Sequence, residues 1–473
     1  MSAERSRRIA VIGGGVSGLT AAREAALIGG SGTEVSLLEA ADRLGGRIRR
    51  ETLAGVPIDI GAEAFATRGG GVAELLAELG IEAEIVPPAK LGSWVIAGAR
   101  AVRLPAAGTA GIPAEPLSRE SRRALGLPGS VRAAAERLLP RRVGARSESL
   151  AELVRVRLGR RVLERLVGPV VLGVHSTDPS RLTLSSIPGL AQAYARRGSL
   201  VVAARELRDG ASAAGGAVAG LRDGMTTLTD ALAAELGRLG VKARTGVAVE
   251  RIERRAGAWA LLDAEGRELD RAEGVVLAVP EEAARTVLGA PAAEEASSRV
   301  EVVALALEEP LLDSAPRGTG ALVAGTGDGV RRGIAAKALT HVTAKWPERA
   351  RRAGSGLHLL RVSYGRAGSP PETAGLGDAA VQRIALNDAS RILGVELRAE
   401  SLRGMVRREW RTNAPPGARG REGSVDPPLA APPGTVLIGD WVSGTGLASV
   451  IPAARAAARQ LLHAPNDEGT SRT

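Results

Sequence analysis

The N-terminal part of the chain has the pattern of a complete βαβ unit. The apolar run Ile9 to Ile12 predicts a buried parallel strand, and the alanine-rich stretch Leu19 to Ile28 predicts a helix. The turn between them is of the GxGxxG type and consists of Gly13, Gly14, Gly15, Val16, Ser17 and Gly18. A second apolar run, Glu34 to Leu38, ends at Glu39, about 20 residues past the last glycine, which is the spacing of a dinucleotide-binding unit.

Each part of this motif has a physical task. Gly13 permits a tight turn, Gly15 lets the backbone approach a pyrophosphate, and Gly18 lets the helix pack closely on the strand. The helix N-terminus offers unpaired N–H groups to phosphates, and the Glu39 carboxylate can accept hydrogen bonds from a ribose diol. Because the chain contains 61 glycines, the motif alone could arise by chance. The strand, helix and acid in register predict dinucleotide binding.

A second glycine turn follows the second predicted strand. Gly45 and Gly46 precede Arg47, after the apolar Leu44. Taken alone, this stretch fits an ordinary turn as well as a second backbone approach to a phosphate. Its position shortly after Glu39 favours the phosphate interpretation.

The composition limits the class of protein. The 473 residues are 44% hydrophobic, enough for roughly two or three structural units with sizeable cores. Aromatic residues are scarce (five Trp, two Tyr and one Phe), so the cores must consist of Leu, Val, Ile and Ala. The net charge is +11, but the basic residues are spread along the chain without interleaved aromatic residues. We therefore expect no nucleic-acid partner.

The absence of certain residues and segments from the sequence limits the possible cofactors and the possible cellular compartment. It contains no cysteine, which excludes disulfides and thiolate–metal sites. The four histidines show no ligand spacing, so we expect no metal site. There is no apolar segment of a signal peptide and no run of about 18 uncharged apolar residues. These features predict a cytoplasmic protein without a membrane-spanning helix.

Along the chain, the pattern predicts an α/β fold in which a nucleotide-binding domain is interrupted twice. The predicted segments are 1–89, 206–280 and 431–463 for a Rossmann-like nucleotide-binding domain, 90–205 for a mostly helical region, 281–430 for a second domain with a mixed sheet, and 464–473 for a disordered tail. The helical region is rich in arginine between Arg119 and Arg165. Solvated helix faces with ion pairs would explain these arginines, and so would a surface that attracts anionic ligands or lipid headgroups.

The three nucleotide-binding segments resemble the flavin amine oxidase-like FAD enzymes. The matching residues are the GxGxxG turn, Glu39-Ala40-x-x-Arg43-Leu44-Gly45-Gly46-Arg47, a predicted strand at Val249-x-x-Ile252, Gly439-Asp440 and Gly446-Leu447. More narrowly, the chain is similar to protoporphyrinogen and coproporphyrinogen oxidases. The stretches that carry this similarity are Asp59 to Phe65, Gly111 to Pro113, Leu172 to Pro179, Gly318 to Val323, Lys345 to Pro347 and Leu360 to Ser363. One family stretch is only partly kept, since Trp410, Ala414 and Pro416 are present but the following tyrosine is not.

The resemblance implies a Rossmann-like FAD-binding domain interleaved with a substrate domain and a mostly helical region. The residues expected to hold FAD are Gly13, Gly14, Gly15, Val16, Ser17, Gly18, Glu39, Ala40, Arg43, Gly46, Arg47, Gly61, Ala62, Glu63, Val249, Gly439, Asp440, Trp441, Gly446, Leu447 and Val450. Asp440 is expected to contact the ribityl chain or a phosphate loop. For Trp441, packing against the isoalloxazine and ordinary core packing remain open.

The resemblance also implies the reaction. A porphyrinogen would lose six electrons in three rounds of hydride transfer to the flavin, and O2 would reoxidise the flavin to give hydrogen peroxide. Coproporphyrinogen III is favoured over protoporphyrinogen IX because its four carboxylates suit an arginine-rich pocket. The expected substrate-binding residues are Arg68, His175 and Asp178. The alternatives are a solvent-facing Arg68 and a capping role for Asp178 before Pro179.

Other interpretations of the sequence remain. The chain could be another oxidase or desaturase of the superfamily, although an amine oxidase needs an aromatic cage that eight aromatic residues hardly supply. A non-catalytic protein that binds anions through the basic helical region is the alternative from a different class. Peripheral membrane contact and the choice between monomer and homodimer also stay open.

Overall fold

The computed structural model describes most of the chain. The described residues are 6–97, 100–105, 109–187, 189–213, 218–293, 298–324, 333–366, 369–412 and 429–463, without the side chains of 174, 175 and 210–213. The predicted disordered tail 464–473 lies outside the described residues, as do Ala414 and Pro416.

The described part of the chain is mixed α/β, which confirms the predicted fold class. Its strands are β1 Arg7–Ile12, β2 Thr33–Glu39, β3 Arg50–Leu53, β4 Val56–Asp59, β5 Phe65–Ala66, β6 Ile85–Val86, β7 Trp94–Ala97, β8 Arg100–Arg103, β9 Val218–Leu221, β10 Lys242–Thr245, β11 Arg251–Arg255, β12 Ala258–Leu262, β13 Glu268–Ala272, β14 Gly274–Leu277, β15 Ser298–Glu308, β16 Gly320–Val323, β17 Ala338–His341, β18 Leu357–Tyr364, β19 Leu402–Thr412 and β20 Thr435–Leu437. Its α-helices are α1 Val16–Gly29, α2 Gly71–Glu78, α3 Arg119–Ala134, α4 Leu150–Leu158, α5 Arg160–Val162, α6 Gly168–His175, α7 Leu190–Arg197, α8 Leu200–Ala213, α9 Thr226–Arg238, α10 Glu281–Val287, α11 Val342–Lys345, α12 Pro347–Ala353, α13 Asp378–Leu393, α14 Asp440–Ser443 and α15 Leu447–His463.

A five-stranded parallel sheet forms the centre of the part predicted to bind a nucleotide. Its strand order is β10-β2-β1-β14-β20. Side chains alternate between the two faces, so Ile9 and Val11 pack in one core cluster and Ala10 and Ile12 in another. Helices α1, α9 and α15 cover the first face, while α10 and the antiparallel sheet β11-β12-β13 cover the second. Because these strands are parallel, the carboxyl ends of β1, β2, β14 and β20 lie at one common edge of the sheet. Ligands of such sheets bind at this edge.

A second, mixed sheet of seven strands carries the other part of the fold. Its order is β19-β15-β18-β17-β16-β7-β8, so the hairpin β7–β8 extends the strands of 281–430. On β18, Leu360 and Val362 face a core that includes α13, while Leu359 faces the hairpin β3–β4. Arg361 lies two residues after Leu359, so its side chain points to the same face, toward the hairpin β3–β4.

The arginine-rich region is held together by a buried ion pair. Arg157 and Glu136 are fully buried and their Nε and Oε1 atoms lie 2.6 Å apart. Three further arginines, Arg132, Arg161 and Arg165, donate to main-chain carbonyl oxygens near the end of α4 or beside the kink at Gly126 in α3. Only some arginines of this region therefore use i,i+4 ion pairs, such as Arg160 with Glu164.

Two element boundaries differ from the sequence prediction. Helix α1 begins at Val16 rather than Leu19, because Gly15 has the extended backbone of an N-cap. The strand predicted around Val249 begins only at Arg251. The preceding residues instead bond to the end of β2, since Val247 N donates to the carbonyl oxygen of Glu39 over 2.9 Å.

Within the described ranges, no helix is long and apolar enough to cross a membrane. No group of three or more His, Asp or Glu side chains there could hold a metal ion.

Candidate functional site

The first glycine turn sits at the carboxyl end of β1 and is shaped by close approaches. Gly13 has φ +105°, and a Cβ at this position would lie 2.5 Å from the carbonyl oxygen of Ala278. A Cβ at Gly18 would lie 1.9 Å from the carbonyl oxygen of Gly13. Gly15 differs from both, because no atom lies within 4 Å of its Cβ position. The turn therefore has an open face at Gly15, where a ligand can reach the backbone at the start of α1.

The second glycine turn lies directly beside the first. Gly45 N donates to the carbonyl oxygen of Gly14 over 2.8 Å. A Cβ at Gly46 would lie 3.1 Å from the Cα of Gly15. The two turns, predicted separately from the sequence, thus form one concave backbone surface at the edge of the sheet.

The Glu39 carboxylate connects the first turn to the segment that leads from β2 to the second turn. Its Oε2 accepts from Gly14 N over 2.5 Å and its Oε1 from Ala41 N over 2.8 Å. A carboxylate has about four lone-pair positions, so roughly two remain for a ribose diol. Ala40, beside it, is exposed.

Arg43 and Arg47 have different tasks in this structure. The Arg43 guanidinium donates to the carbonyl oxygens of Leu44, Gly46 and Ile48 over 2.9–3.1 Å. It therefore holds the shape of the second turn from within. Arg47 instead reaches Asp440, with 2.7 Å between Nη2 and Oδ2, and keeps 45% of its side chain exposed. This ion pair joins two segments that are 393 residues apart.

The C-terminal segment 439–450 is joined to the second turn by the Arg47–Asp440 ion pair. Gly439 and Gly446 have φ values of +138° and +97°, and the Cβ position of Gly446 is open. Leu447 begins α15, and Val450 is buried in its first turns. The Trp441 indole donates to the carbonyl oxygen of Val279 over 3.0 Å and packs in the same core cluster as Val249. This position favours core packing for both side chains, and their contact with a flavin stays a prediction.

The segment Gly61-Ala62-Glu63 links the turns to the seven-stranded sheet. A Cβ at Gly61 would lie 1.9 Å from the carbonyl oxygen of Arg47, and Ala62 N donates to that oxygen over 3.1 Å. The next side chain, Glu63, forms ion pairs with Lys345 and with Arg361, the latter over 2.5 Å. Arg361 also donates to the carbonyl oxygen of Gly61 over 2.7 Å.

The three charged groups Glu63, Lys345 and Arg361, here called the Glu63 cluster, are largely buried. Their side chains are 14%, 19% and 10% exposed. Burial alone would raise the pKa of Glu63, but the two cations outweigh burial and lower this pKa to about 2. The Glu63 carboxylate is therefore ionised and committed to the cluster. Sequence reasoning missed Lys345 and Arg361 as site residues, although both lie in stretches that carry the family resemblance.

The three residues predicted to bind the substrate have different surroundings in the structure. Arg68 is exposed, and its Nη2 donates to Ser449 Oγ over 3.1 Å, at the start of α15. Among the described residues, no carboxylate oxygen lies within 4.0 Å of Arg68. Asp178 accepts from Ser180 N over 2.8 Å and caps a short 3₁₀ turn, which favours the structural alternative. His175 ends α6, and its side chain lies outside the described residues.

A buried lysine lies next to the predicted loop of His175 and Asp178. Lys337 is 2% exposed, and its Nζ donates to Ser176 Oγ over 2.7 Å. Burial lowers the pKa of Lys337 to about 7. No sequence pattern marks Lys337 as a site residue, because it is an isolated lysine in an irregular segment.

Known proteins resemble this chain over nearly its whole length. The sequence profile of the family described as flavin containing amine oxidoreductase matches residues 16–462. A coproporphyrinogen III oxidase from Mycobacterium tuberculosis is 32% identical over 467 residues, covering 97% of this chain and 98% of that protein. One from Bacillus subtilis is 28% identical over 479 residues, covering 96% and 98%.

Solved structures share the fold. A crystal structure from Exiguobacterium, described as a candidate protoporphyrinogen oxidase, aligns with a TM-score of 0.79 at 22% identity, covering 97% of this chain and 99% of that one. The sequence relatives confirm the predicted resemblance, and this crystal structure confirms the fold. This protein is therefore a flavin-dependent oxidoreductase and belongs to the flavin containing amine oxidoreductase family.

Proposed function

We propose that this protein oxidises coproporphyrinogen III to coproporphyrin III in haem biosynthesis, with FAD as cofactor and O2 as acceptor, releasing hydrogen peroxide. The relatives named coproporphyrinogen III oxidase, which match nearly the whole chain, support this substrate. We place the enzyme in the cytoplasm, as a monomer or a homodimer.

The observation that carries the proposal is the Glu63 cluster. Three stretches that resemble porphyrinogen oxidases, 59–65, 345–347 and 360–363, lie far apart in the sequence. The structure brings them together through the ion pairs of Glu63 with Lys345 and Arg361. Stretches matched by chance would have no reason to meet at one buried site.

The residues of the two glycine turns fit FAD. The open face at Gly15 and the start of α1 suit the pyrophosphate, and the unused lone pairs of Glu39 suit the ribose. Arg47, half exposed and fixed by Asp440, can donate to a phosphate. When bound, FAD supplies hydride acceptance, two electrons at a time, so a six-electron oxidation takes three rounds.

The protein's own contribution to this reaction is to bind and orient the substrate. Arg68 is a cation without a carboxylate partner in the described part of the chain, and it lies beside the C-terminal flavin segment. It is therefore placed to accept a propionate group of the substrate. The Glu63 cluster has a net charge of +1 at the junction of the two sheets, which also favours an anionic substrate.

The proposal is tested by an aerobic assay of the purified protein with coproporphyrinogen III and protoporphyrinogen IX. We expect porphyrin fluorescence and hydrogen peroxide to appear together, faster with coproporphyrinogen III. Protein stripped of flavin corrects for spontaneous oxidation. Equal rates with and without flavin would contradict the proposal, and a preference for protoporphyrinogen IX would assign the alternative substrate.

Oxidation of an amine, as in other members of the family, is not favoured by the aromatic side chains. An amine oxidase site needs aromatic rings that flank the substrate. All eight aromatic residues are described, and the ring pair found in the described part of the chain is between His341 and His358. The Trp346 ring lies next to the Lys345 ammonium group rather than next to a second aromatic ring.

Replacing Glu39 by alanine should weaken FAD binding, because the ribose would lose its acceptor. We expect a Kd for FAD at least about tenfold higher, which corresponds to about 1.4 kcal/mol. Since Glu39 also bonds to Gly14 N and Ala41 N, the melting temperature of the apoprotein serves as a control. Unchanged FAD affinity would show that this carboxylate does not contact the cofactor.

Replacing Arg68 by alanine should raise KM more for coproporphyrinogen III, with four carboxylates, than for protoporphyrinogen IX, with two. Loss of a guanidinium–carboxylate contact corresponds to about 1.5–3 kcal/mol when it is well formed. Steady-state kinetics on both substrates give the comparison, with Arg68→Lys as the charge-preserving control. Equal effects on both substrates would speak against propionate binding by Arg68.

A further inference from the structure

A second concave site lies behind the turn formed by Gly45 and Gly46. It is an open crevice of about 460 Å³ between this turn, the start of β3 and one face of α9. The lining residues are Arg43, Leu44, Arg49, Arg50, Thr226, Thr229, Asp230 and Ala233. This volume lies within the usual range of small-molecule sites, about 300–1,000 Å³.

The crevice and the flavin-binding surface lie on different sides of the turn. The Cβ position of Gly46 faces the Cα of Gly15 over 3.1 Å, on the flavin side. The Cβ position of Gly45 faces Arg43 Nη1 over 3.3 Å and Thr229 Oγ1 over 3.4 Å, and both residues line the crevice. A ligand in the crevice would therefore contact the turn from behind.

The crevice carries an excess of positive charge. Three guanidinium groups line it against one carboxylate, that of Asp230. Among the described residues, no carboxylate oxygen lies within 4.0 Å of Arg43 or Arg50. Arg49 shares the carboxylate of Glu51 with Arg408. Burial, followed by the positive charge of Arg49, lowers the pKa of Arg43, although the carboxylates of Asp42 and Glu39 act in the opposite direction.

The polar groups of α9 add donors of a suitable kind. The Thr226 hydroxyl is buried and has no hydrogen-bond partner among the described residues. Guanidinium groups and hydroxyls together are the donors that recognise phosphate oxygens, and guanidinium groups bind them in pairs.

We propose that this crevice binds a small phosphate-bearing anion, as a site separate from the flavin and from the porphyrinogen. The anion would offset the repulsion between Arg43 and Arg49. Because Arg43 holds the carbonyl oxygens of Leu44, Gly46 and Ile48, the bound anion would also stabilise the turn that faces the flavin. Occupancy of the crevice therefore strengthens FAD retention without touching the cofactor.

The probe for the test is inorganic pyrophosphate, titrated calorimetrically into the FAD-loaded protein at constant ionic strength. We expect one site in the wild type and a Kd at least tenfold higher in Arg49→Gln/Arg50→Gln. The matched control is Arg122→Gln/Arg123→Gln on α3, which removes the same charge from an exposed helix face. This control should bind pyrophosphate like the wild type. Should the first variant fail to fold, Arg50→Gln alone removes an exposed crevice residue whose guanidinium donates to the Asp223 carbonyl oxygen.

Two results would overturn the proposal. Binding seen only in the flavin-free protein would mean that pyrophosphate occupies the flavin site. Equal weakening in both arginine variants, or none in either, would mean that the effect comes from overall charge. The coupling through Arg43 has its own readout, since pyrophosphate should slow FAD release from the wild type and from the α3 control but not from Arg49→Gln/Arg50→Gln. Unchanged release from the wild type would refute the coupling.

Discussion

Replacing Glu63 by glutamine is expected to destabilise the folded protein by about 3–5 kcal/mol, the range for breaking a buried ion pair by removing one partner. The substitution keeps the shape of the side chain but leaves Lys345 and Arg361 without their counter-charge. Both are largely buried, at 19% and 10% exposure of their side chains. Urea unfolding of the FAD-loaded and flavin-free protein measures the change. A loss seen in both forms would show that the cluster connects the two sheets independently of the cofactor.

Glu51 offers a matched control for this experiment. Its carboxylate also bridges two arginines, Arg49 over 2.8 Å and Arg408 over 3.1 Å. These side chains are 24–39% exposed, so solvent screens the interaction more strongly. We expect Glu51→Gln to cost less than about 1 kcal/mol. An equal loss in the two variants would contradict the special role of the Glu63 cluster.

The pH dependence of the unfolding free energy gives a second comparison between the wild type and Glu63→Gln. The pKa of Glu63 is lowered in the folded state from its usual 4.5 to about 2. Its stabilising contribution is therefore present above pH 4.5 and is lost as the pH falls toward 2. The stability difference between the wild type and Glu63→Gln should narrow over this range. A constant difference would mean that Glu63 titrates normally in the folded protein.

Local patterns in the sequence predicted the N-terminal βαβ unit well. The unit from β1 to β2 depends on residues close in sequence, because strand alternation, glycine conformation and helix packing all act within 33 residues. Outside this unit, the strand expected at Val249 starts later, because the preceding residues bond to the end of β2 instead.

The site itself was harder to predict, because its contacts span the chain. The pairs Arg47–Asp440 and Glu63–Arg361 join residues 393 and 298 positions apart, and no local pattern fixes such a pairing. Arg43 shows a related problem. The family motif marked it as cofactor-binding, whereas its guanidinium holds carbonyl oxygens of the turn. Motifs identify which residues matter, but their tasks depend on side-chain directions that only the folded chain defines.

Replacement by alanine is expected to lower the stability of the protein at Gly18 of the first turn but not at Gly15. Gly18→Ala should destabilise even the flavin-free protein by about 1–3 kcal/mol or more, the range for overpacking. The new methyl group would lie 1.9 Å from the backbone oxygen of Gly13, and backbone cannot move aside cheaply. Gly15→Ala should leave the stability of the flavin-free protein unchanged or slightly higher, since φ is −71° and no atom lies within 4 Å of the new methyl group.

The same two variants separate folding from cofactor binding. Gly15→Ala should raise the Kd for FAD at least about tenfold, or about 1.4 kcal/mol, because the methyl group takes the space through which a pyrophosphate approaches the backbone. Gly237→Ala, inside α9 and with open space at its Cβ position, is the control; it should stabilise the protein by up to about 1 kcal/mol and leave FAD affinity unchanged.

Fluorescence titration with FAD measures the affinity of these variants, and thermal unfolding of the flavin-free protein measures their stability. Wild-type FAD affinity in Gly15→Ala would place the pyrophosphate elsewhere, and wild-type stability in Gly18→Ala would contradict the close packing of α1 on β1. Loss of affinity in the one and of stability in the other would assign pyrophosphate contact to Gly15 and helix packing to Gly18.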